Sequence, residues 1–344
     1  MSGDLVLLTG ATGFVGFRTL LSALRAGYRV RCAVRSQSGI DKILTAPSLR
    51  DLEPSDSQLQ WAVVPDFTTV GAFDKAVKGA KYIIHCASPV VKFQPDGGLG
   101  REHEIYVEPA VQGVLGMLQS ALSHANDTVK RIVVTSSIVA IMPRFCFRGE
   151  GLDRPAFTGQ SRLPWPIPPY EDPYSASKTA ALEASESWMK EHRPPFDLTS
   201  IMPGWVLGHE ELATSTEAIL SGSNNALLYC LVGGERDYPI NTGYISVGDL
   251  ADAHVIALSP SVSGGQSVIL SQHLDFEEAR EIAKKAFPKA FEKGILSESG
   301  VQPTVSIPTD ASDGEKLLGR RFATAEEVVK EVAAQYVKLA EQRS

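Results

Sequence analysis

The order of sequence patterns predicts a doubly wound α/β fold: a parallel sheet with helices on both faces, and a smaller, mostly helical lobe from the C-terminal third. Three observations predict it. Short apolar runs alternate with stretches of helical period from Leu5 to Met202, and alternating β and α elements build a parallel sheet with right-handed crossovers. The first run is followed at once by a glycine-spaced turn, Gly10-Ala11-Thr12-Gly13-Phe14-Val15-Gly16. After residue 209 the alternation is lost and amphipathic stretches take over.

Leu5-Val6-Leu7-Leu8 is apolar without alternation, the pattern of a strand buried on both faces. Helical periodicity runs from Gly13 to Ala26 and stops at Gly27, which suits a helix end. Arg29 to Val34 and Gln60 to Val64 read as the second and third strands. Tyr82 to Cys86 is the fourth and Arg131 to Thr135 the fifth, joined by a helix from Ile105 to His124. Pro143 to Pro173 is proline-rich and reads as a loop, because proline interrupts helices and donates to no strand ladder. Helix resumes from Ser175 to His192, and a strand follows from Leu198 to Met202. Phe276 to Ala286 and Ala323 to Gln342 are the amphipathic helices of the second lobe.

Composition narrows the function classes. The 344 residues have room for about two domains at roughly 150 residues each. Apolar residues make up 43% and charged residues 21%, which excludes a disordered chain. Lys and Arg number 33 against 40 Asp and Glu, a net charge of −7 that offers no basic footprint for nucleic acid or anionic membrane. Cys32, Cys86, Cys146 and Cys230 are scattered without a C-x-x-C pair, as expected of a reducing compartment. The seven histidines are dispersed and no H-E-x-x-H occurs, so no metal site is expected. With no signal-like N-terminus and no long apolar run, a soluble cytoplasmic protein is expected.

The glycine turn carries the first chemistry. Glycine lets backbone approach a pyrophosphate closely, and the helix that follows presents free N–H groups and a positive dipole end. Strand, glycine turn and helix together are the context of a dinucleotide site on a Rossmann-type sheet. Gly10, Thr12, Gly13, Phe14, Val15 and Gly16 are the expected contacts. An acid at the end of the second strand would hold an adenosine ribose 2′-hydroxyl and favour NAD. Here Arg35 stands nineteen residues after Gly16, and a guanidinium grips a 2′-phosphate instead. NADP(H) is therefore the expected cofactor, with Lys42 assisting from the next helix.

The second chemistry lies in Tyr174-Ser175-Ala176-Ser177-Lys178. Positions i and i+4 share a helix face, so Lys178 is expected to favour the Tyr174 phenolate and lower a pKa that is ordinarily near 10. Tyr174 would then exchange a proton near neutral pH. The fifth strand ends in Thr135-Ser136-Ser137, at the carboxyl edge where such sheets place their ligands.

These pieces together resemble the extended short-chain dehydrogenase/reductases. More narrowly, the chain is similar to dihydroflavonol and cinnamoyl-CoA reductases and to the fungal aldehyde and ketone reductases related to them. His85-Cys86-Ala87-Ser88-Pro89-Val90, Pro203-Gly204-Trp205-Val206-Leu207-Gly208, Tyr244 to Ala251 and Leu317-Leu318-Gly319 extend the resemblance over nearly the whole chain. Two places depart from it: Gly113-Val114 stands where Gly-Thr is usual, and the stretch before Tyr174 is proline-rich rather than acidic with tryptophan.

The resemblance implies a Ser137, Tyr174, Lys178 triad. In it Tyr174 is the proton donor, and Lys178 also binds the nicotinamide ribose. It further implies that Asp66 and Phe67 contact the adenine, Ala87 and Ser88 line the cofactor path, and Pro203 and Val206 flank the nicotinamide. Residues 1–208 with about 239–270 would form the nucleotide-binding domain, and about 209–238 with 271–344 the substrate lobe. Val90, Phe93, Met142, Phe145, Trp165, Trp205 and Tyr238 are candidate pocket walls between the domains, suited to an apolar or aromatic carbonyl compound. The expected activity is NADPH-dependent reduction of an aldehyde or ketone by a monomer or homodimer without nucleic-acid or membrane partners. Two alternatives are carried: a nucleotide-sugar epimerase or dehydratase, for which no cluster of basic residues is evident, and an NADP-sensing regulator, which would not need the triad.

Overall fold

In a computed structural model, residues 3–88, 100–164, 166 and 172–342 are described. Val90, Phe93 and Trp165 lie outside the described residues. The strands are β1 (Leu5–Thr9), β2 (Arg29–Val34), β3 (Leu59–Val63), β4 (Tyr82–His85), β5 (Arg131–Thr135) and β6 (Asp197–Pro203). They continue with the shorter β7 (Trp205–Leu207), β8 (Ile240–Asn241), β9 (Gly243–Ser246), β10 (Ser267–Leu270), β11 (Gln272–His273) and β12 (Thr304–Val305). The first helices are α1 (Phe14–Arg25), α2 (Gln37–Leu44), α3 (Pro47–Arg50), α4 (Glu108–His124) and α5 (Pro173–His192). They are followed by α6 (Thr216–Leu220), α7 (Asn225–Leu231), α8 (Val247–Ile256), α9 (Phe276–Ala286), α10 (Pro288–Glu292), α11 (Ser312–Leu318) and α12 (Ala325–Glu341).

Seven strands form the main sheet in the order β10-β6-β5-β4-β1-β2-β3. β1 pairs in parallel with β2 and β4, β2 with β3, β4 with β5, and β5 with β6. The order reverses direction at β1, so the crevice beyond the carboxyl ends of β1 and β4 is the topological switch point, where such sheets bind ligands. All five residues of β1 are buried, which accounts for its unbroken apolar run. The Rossmann-type α/β fold expected from the sequence is thus the observed one. α4 begins three residues later than its periodicity suggested, because a π turn at His103–Val107 occupies the start of that stretch. The stretch expected as loop after Pro143 contains a short helical turn, Arg144–Arg148.

The chain divides into two compact units. The first comprises residues 1–142, 159–202 and 251–268, the second 143–158, 203–250 and 269–344. Segments 143–158, 203–208 and 239–250, grouped with the nucleotide-binding part on sequence grounds, cluster with the second unit. In the first unit, Leu7, Ile83 and Ile132 from the sheet pack with Val114, Met117 and Leu118 of α4. In the second, Leu227, Leu228 and Leu231 of α7 pack with Ala279, Ala283, Val328 and Val332 of α9 and α12. Two sequence landmarks are structural there. The buried Asp249 carboxylate pairs with Arg320 and accepts the Ala323 N–H at 2.7 Å, and Gly319 ends α11 in the left-handed conformation. Among the described residues no helix is long and apolar enough to cross a membrane.

One buried clasp holds the sheet near its β5–β6 side. Arg131 grips Asp197 through Nε at 2.6 Å and Nη2 at 3.0 Å, and its Nη1 donates to the carbonyls of Ala257 and Ser259. β5, β6 and the chain just beyond α8 thereby meet on one guanidinium. Breaking a buried pair costs about 3–5 kcal/mol, but the Asp197 side chain is 37% exposed, so about 2 kcal/mol is expected. Arg131→Met should lower the melting temperature by a few degrees in thermal denaturation followed by circular dichroism, while Arg148→Met, whose ion pair with Glu150 is exposed, should leave it unchanged.

Candidate active site

The turn after β1 is shaped by close approach. Gly10 has φ +79°, and a Cβ there would lie 2.9 Å from the Ala87 nitrogen and 3.1 Å from the Cys86 carbonyl carbon. The loops leaving β1 and β4 therefore touch backbone to backbone. A Cβ on Gly16 would fall 2.1 Å from the Gly10 oxygen, so the first turn of α1 also needs glycine to close against the loop. Gly13 differs. The nearest atom to its would-be Cβ is the Gly10 oxygen at 3.5 Å, an ordinary contact. Protein packing does not require glycine there, and the space a Cβ would take lies open ahead of the helix. α1 has no acidic residue in its first turn and no side-chain cap, so its N–H groups and positive dipole end face that space.

The end of β2 lies beside this cradle. A Cβ on Gly39, in α2, would come 3.1 Å from the Thr12 methyl, which brings the first turn of α2 against the glycine loop. Arg35 is exposed just ahead of α2, and Lys42 is exposed on it. Asp66 is held below the usual carboxylate range, chiefly because its Oδ1 accepts from the Thr68 hydroxyl at 2.6 Å and the Thr68 N–H at 2.9 Å. Arg35 adds a smaller lowering. Phe67 packs its ring over Gly113, where a Cβ would lie 2.8 Å from the ring edge; this explains why the helix after β4 carries glycine at that point.

Ser137, Tyr174 and Lys178 come together at the carboxyl end of β5. Ser137 caps a short helical turn, Ile138–Ala140, its Oγ accepting from Val139 N–H. α5 starts with Pro173 behind an Asp172 cap, whose carboxylate accepts from the Ser175 N–H at 3.2 Å and its hydroxyl at 2.6 Å. Such a cap is worth about 1 kcal/mol and sets where Tyr174 leaves the helix. Thr179 Oγ1 reaches the Ala140 carbonyl at 3.1 Å, tying α5 to the turn that holds Ser137. The Ser137 hydroxyl lies near enough to the Tyr174 oxygen to favour the phenolate. Lys178 Nζ lies 5.7 Å from the Tyr174 ring centre and donates to Ser88 Oγ at 3.2 Å. Asp172 and Thr179 were not singled out from the sequence. An Asp-Pro pair opening a helix is a recognisable cap signal, whereas the Thr179 contact is long-range and leaves no local trace.

The electrostatics correct one expectation. Tyr174 is pushed above the usual tyrosine range, not below it. Burial of the hydroxyl end is the main cause; the Ser137 hydroxyl opposes it and Asp172 adds to it. The residue as a whole is 40% exposed. Lys178 does not offset this; burial pushes the lysine itself down to about 8. Beneath the site, burial also takes His85 down to about 4, with Lys178 adding to the effect, and raises the Cys86 thiol to about 11.

The remaining expected residues are spread. Ala87 and Ser88 lie in the turn after β4. Pro203 ends β6, and Val206 sits in β7 with its N–H donated to Ser223 Oγ. Phe145 is 37% exposed, with Arg154 over its ring at 5.5 Å. Trp205 is 40% exposed, its indole N–H donated to the Asn241 carbonyl. Tyr238 is exposed and Met142 is buried. Among the described residues no group of three His, Cys, Asp or Glu side chains could hold a metal ion.

A doubly wound sheet with a glycine turn and an uncapped helix start at its switch point is a nucleotide-binding architecture. The model of the NAD dependent epimerase/dehydratase family matches residues 6–270, and the chain belongs to that family, the extended short-chain dehydrogenase/reductases. "Ketoreductase CTB6" of Cercospora beticola is 35% identical over 355 residues, covering 99% of this chain and 97% of that protein. "NADPH-dependent methylglyoxal reductase GRE2" of Saccharomyces cerevisiae is 28% identical over 358 residues, covering 97% and 98%. Among solved structures, yeast methylglyoxal/isovaleraldehyde reductase Gre2 complexed with NADPH superposes with a TM-score of 0.79 at 25% identity, covering 98% of this chain and 99% of that one.

Two outcomes follow from this geometry. Gly13→Ala should fold with nearly the parental melting temperature yet lose the shift that a bound dinucleotide gives the parent, whereas Gly16→Ala should fail to reach a native melt at all. Lys178, with a folded pKa of about 8 against an unfolded value near 10.4, binds fewer protons folded than unfolded between those values. Its contribution to stability therefore rises as pH climbs through that window and is unfavourable below it. Lys178→Met should raise the melting temperature of the unliganded chain at pH 7, and the gap from the parent should close toward pH 10.

Proposed function

We propose that the chain reduces the carbonyl group of an aldehyde or ketone to an alcohol, using NADPH, with Tyr174 as the proton donor. The observation that carries this reading is the convergence of Ser137, Tyr174 and Lys178, in one compact unit, with the glycine cradle. A regulator that only sensed the dinucleotide would need the cradle alone.

The direction of the Tyr174 shift suits the role. A phenol kept protonated in the resting site can give its proton to an oxygen that is gaining negative charge. Ser137 Oγ, close to the phenol, would donate to the same oxygen and stabilise that charge. Lys178, pushed down to about 8, is poised to pass a proton toward the phenol after each turnover, and its ammonium would hold the ribose hydroxyls. Bound NADPH would supply the hydride that reaches the carbonyl carbon. The N–H groups at Phe14 and Val15, with Gly10, Thr12, Gly13 and Gly16, would cradle its diphosphate. Arg35 and Lys42 would grip the 2′-phosphate, Asp66 and Phe67 would border the adenine, and Ala87 and Ser88 the path between. Pro203 and Val206 would flank the nicotinamide.

Arg35 favours NADPH over NADH, because a carboxylate at this place would repel the extra phosphate. The naming of one relative as an NADPH-dependent reductase supports the same choice. Relatives named as ketoreductase and methylglyoxal reductase support a carbonyl substrate. Phe145 and Trp205, each with more than a third of its surface open, are the described candidates for contact with an apolar or aromatic substrate.

The test is nicotinamide consumption across methylglyoxal, isovaleraldehyde, aromatic diketones, flavanonols and hydroxycinnamoyl thioesters. The parent should consume NADPH in preference to NADH with at least one of them. Tyr174→Phe should bind NADPH normally and lose turnover by about a hundredfold or more, and Arg35→Asp should weaken NADPH binding far more than NADH binding. A Tyr174→Phe enzyme of full activity would overturn the mechanism.

A further inference from the structure

The proline-rich stretch after β5 is one of the two places where the sequence departs from the resemblance, and it holds a charge that the proposed reaction does not yet use. Arg154 stands half-buried in it. Its guanidinium carbon lies over the Phe157 ring, 4.8 Å from the centre, and over the Phe145 ring at 5.5 Å. Nη1 donates to the Cys146 sulfur at 3.6 Å. Sulfur is a weak acceptor, and a guanidinium has five N–H donors. Two other arginines of the stretch are matched by acids: Arg148 by Glu150 and Arg162 by Glu186. Among the described residues Arg154 has no carboxylate within ion-pair distance; its contacts are the two rings and the sulfur.

These surroundings fix the guanidinium without neutralising it. Phe157 is buried, and its backbone is anchored: its N–H donates to the Pro308 carbonyl at 2.9 Å, and its carbonyl accepts from the Asp310 N–H at 2.8 Å. Phe145 lies against Gly151, where a Cβ would come 3.0 Å from the ring. Cys146 is buried. All of these residues belong to one compact unit. If filling the space between two rings were the whole purpose, methionine or leucine would do it without taking a charge out of water. The rings attract the cation but leave most of its N–H donors unmet. The ligand that matches those donors is a carboxylate, whose two oxygens fit the guanidinium fork. Beside the fork lies the apolar surface of Phe145, 37% exposed. We infer that Arg154 is a specificity-determining residue: it takes the carboxylate of an aldehyde or ketone whose apolar body lies on Phe145. The inference rests on the reading above, in which Phe145 meets the substrate, and it narrows that substrate to carbonyl compounds that are themselves anions.

The test compares 4-formylbenzoate with its methyl ester, two aldehydes with the same aromatic body of which only one is charged. Each is followed by NADPH consumption and by the melting-temperature shift it gives the protein with NADP+, a reading that needs no turnover. The parent should prefer the acid about tenfold or more in kcat/KM, chiefly through KM. Raising salt from about 50 to about 500 mM should raise the KM for the acid several-fold and leave that for the ester within about twofold. Arg154→Met, which keeps a side chain between the rings, should abolish the preference and the melting shift given by the acid. Arg154→Lys, which keeps the charge and loses the fork, should retain only part of both. Equal kcat/KM for acid and ester in the parent would overturn the inference, as would an Arg154→Met enzyme that still prefers the acid, or a parent whose melting temperature the acid does not move. Should Arg154→Met not fold, the salt series and Arg154→Lys decide: a KM for the acid that ignores salt, or an undiminished preference in Arg154→Lys, would overturn it. A parent inactive with every carbonyl compound tried would instead overturn the reductase reading, and the melting shifts would still show whether Arg154 holds the carboxylate.

Discussion

The close contact between the loops that leave β1 and β4 is the constraint on which the rest of the site depends. Gly10 meets Ala87 with no room for a side chain, and the Thr9 hydroxyl takes the Ala87 N–H just beneath. One loop is the glycine turn ahead of α1 and the other carries Ser88 to Lys178. Because the two are locked, the cradle and the lysine keep a fixed separation. A dinucleotide has a fixed length, so a site that must hold its diphosphate and its nicotinamide ribose together needs such a lock.

A second lock fixes Tyr174. Tyr174 and Lys178 share a face of α5, but helix geometry says nothing about where the helix points. That is settled by the Asp172 cap at its start and by the Thr179 bond to Ala140, which ties α5 to the turn that holds Ser137. The places of the tyrosine, the serine and the lysine therefore depend on two nearby polar residues, Asp172 and Thr179. The same burial that makes this arrangement rigid also charges a cost to Lys178, whose pKa of about 8 marks a charge kept out of water. Sites of this kind trade stability for chemistry.

Much of the first unit was legible from its sequence. β2 and β5 run over the residues that their apolar pattern marked, and β1, β3, β4 and β6 differ by one residue at their ends. Fully buried parallel strands have unbroken apolar runs, and few other elements do. The second unit was far less legible. β7, β8, β11 and β12 have two or three residues each, too short for any period to register, and they exist because distant segments meet, as β12 meets β8. The helices α6 and α7 are also short and follow polar, irregular chain. Asp249 illustrates the limit: its sequence neighbourhood marked it as a landmark, but its bonds to Arg320 and Ala323 span some seventy residues of chain.

By itself the sequence determined the parallel α/β sheet, the glycine turn at its first crossover, the arginine that replaces an acid after β2, and the pairing of Tyr174 with Lys178 on one helix face. Each depends on local spacing, and local spacing is what periodicity and turn chemistry record. Only the tertiary structure decided which of the three glycines packing demands and which it leaves open. It also decided that burial shifts the tyrosine upward rather than downward. Both turn on how closely atoms from separate segments approach, and on how much water that approach excludes, quantities with no counterpart in residue order.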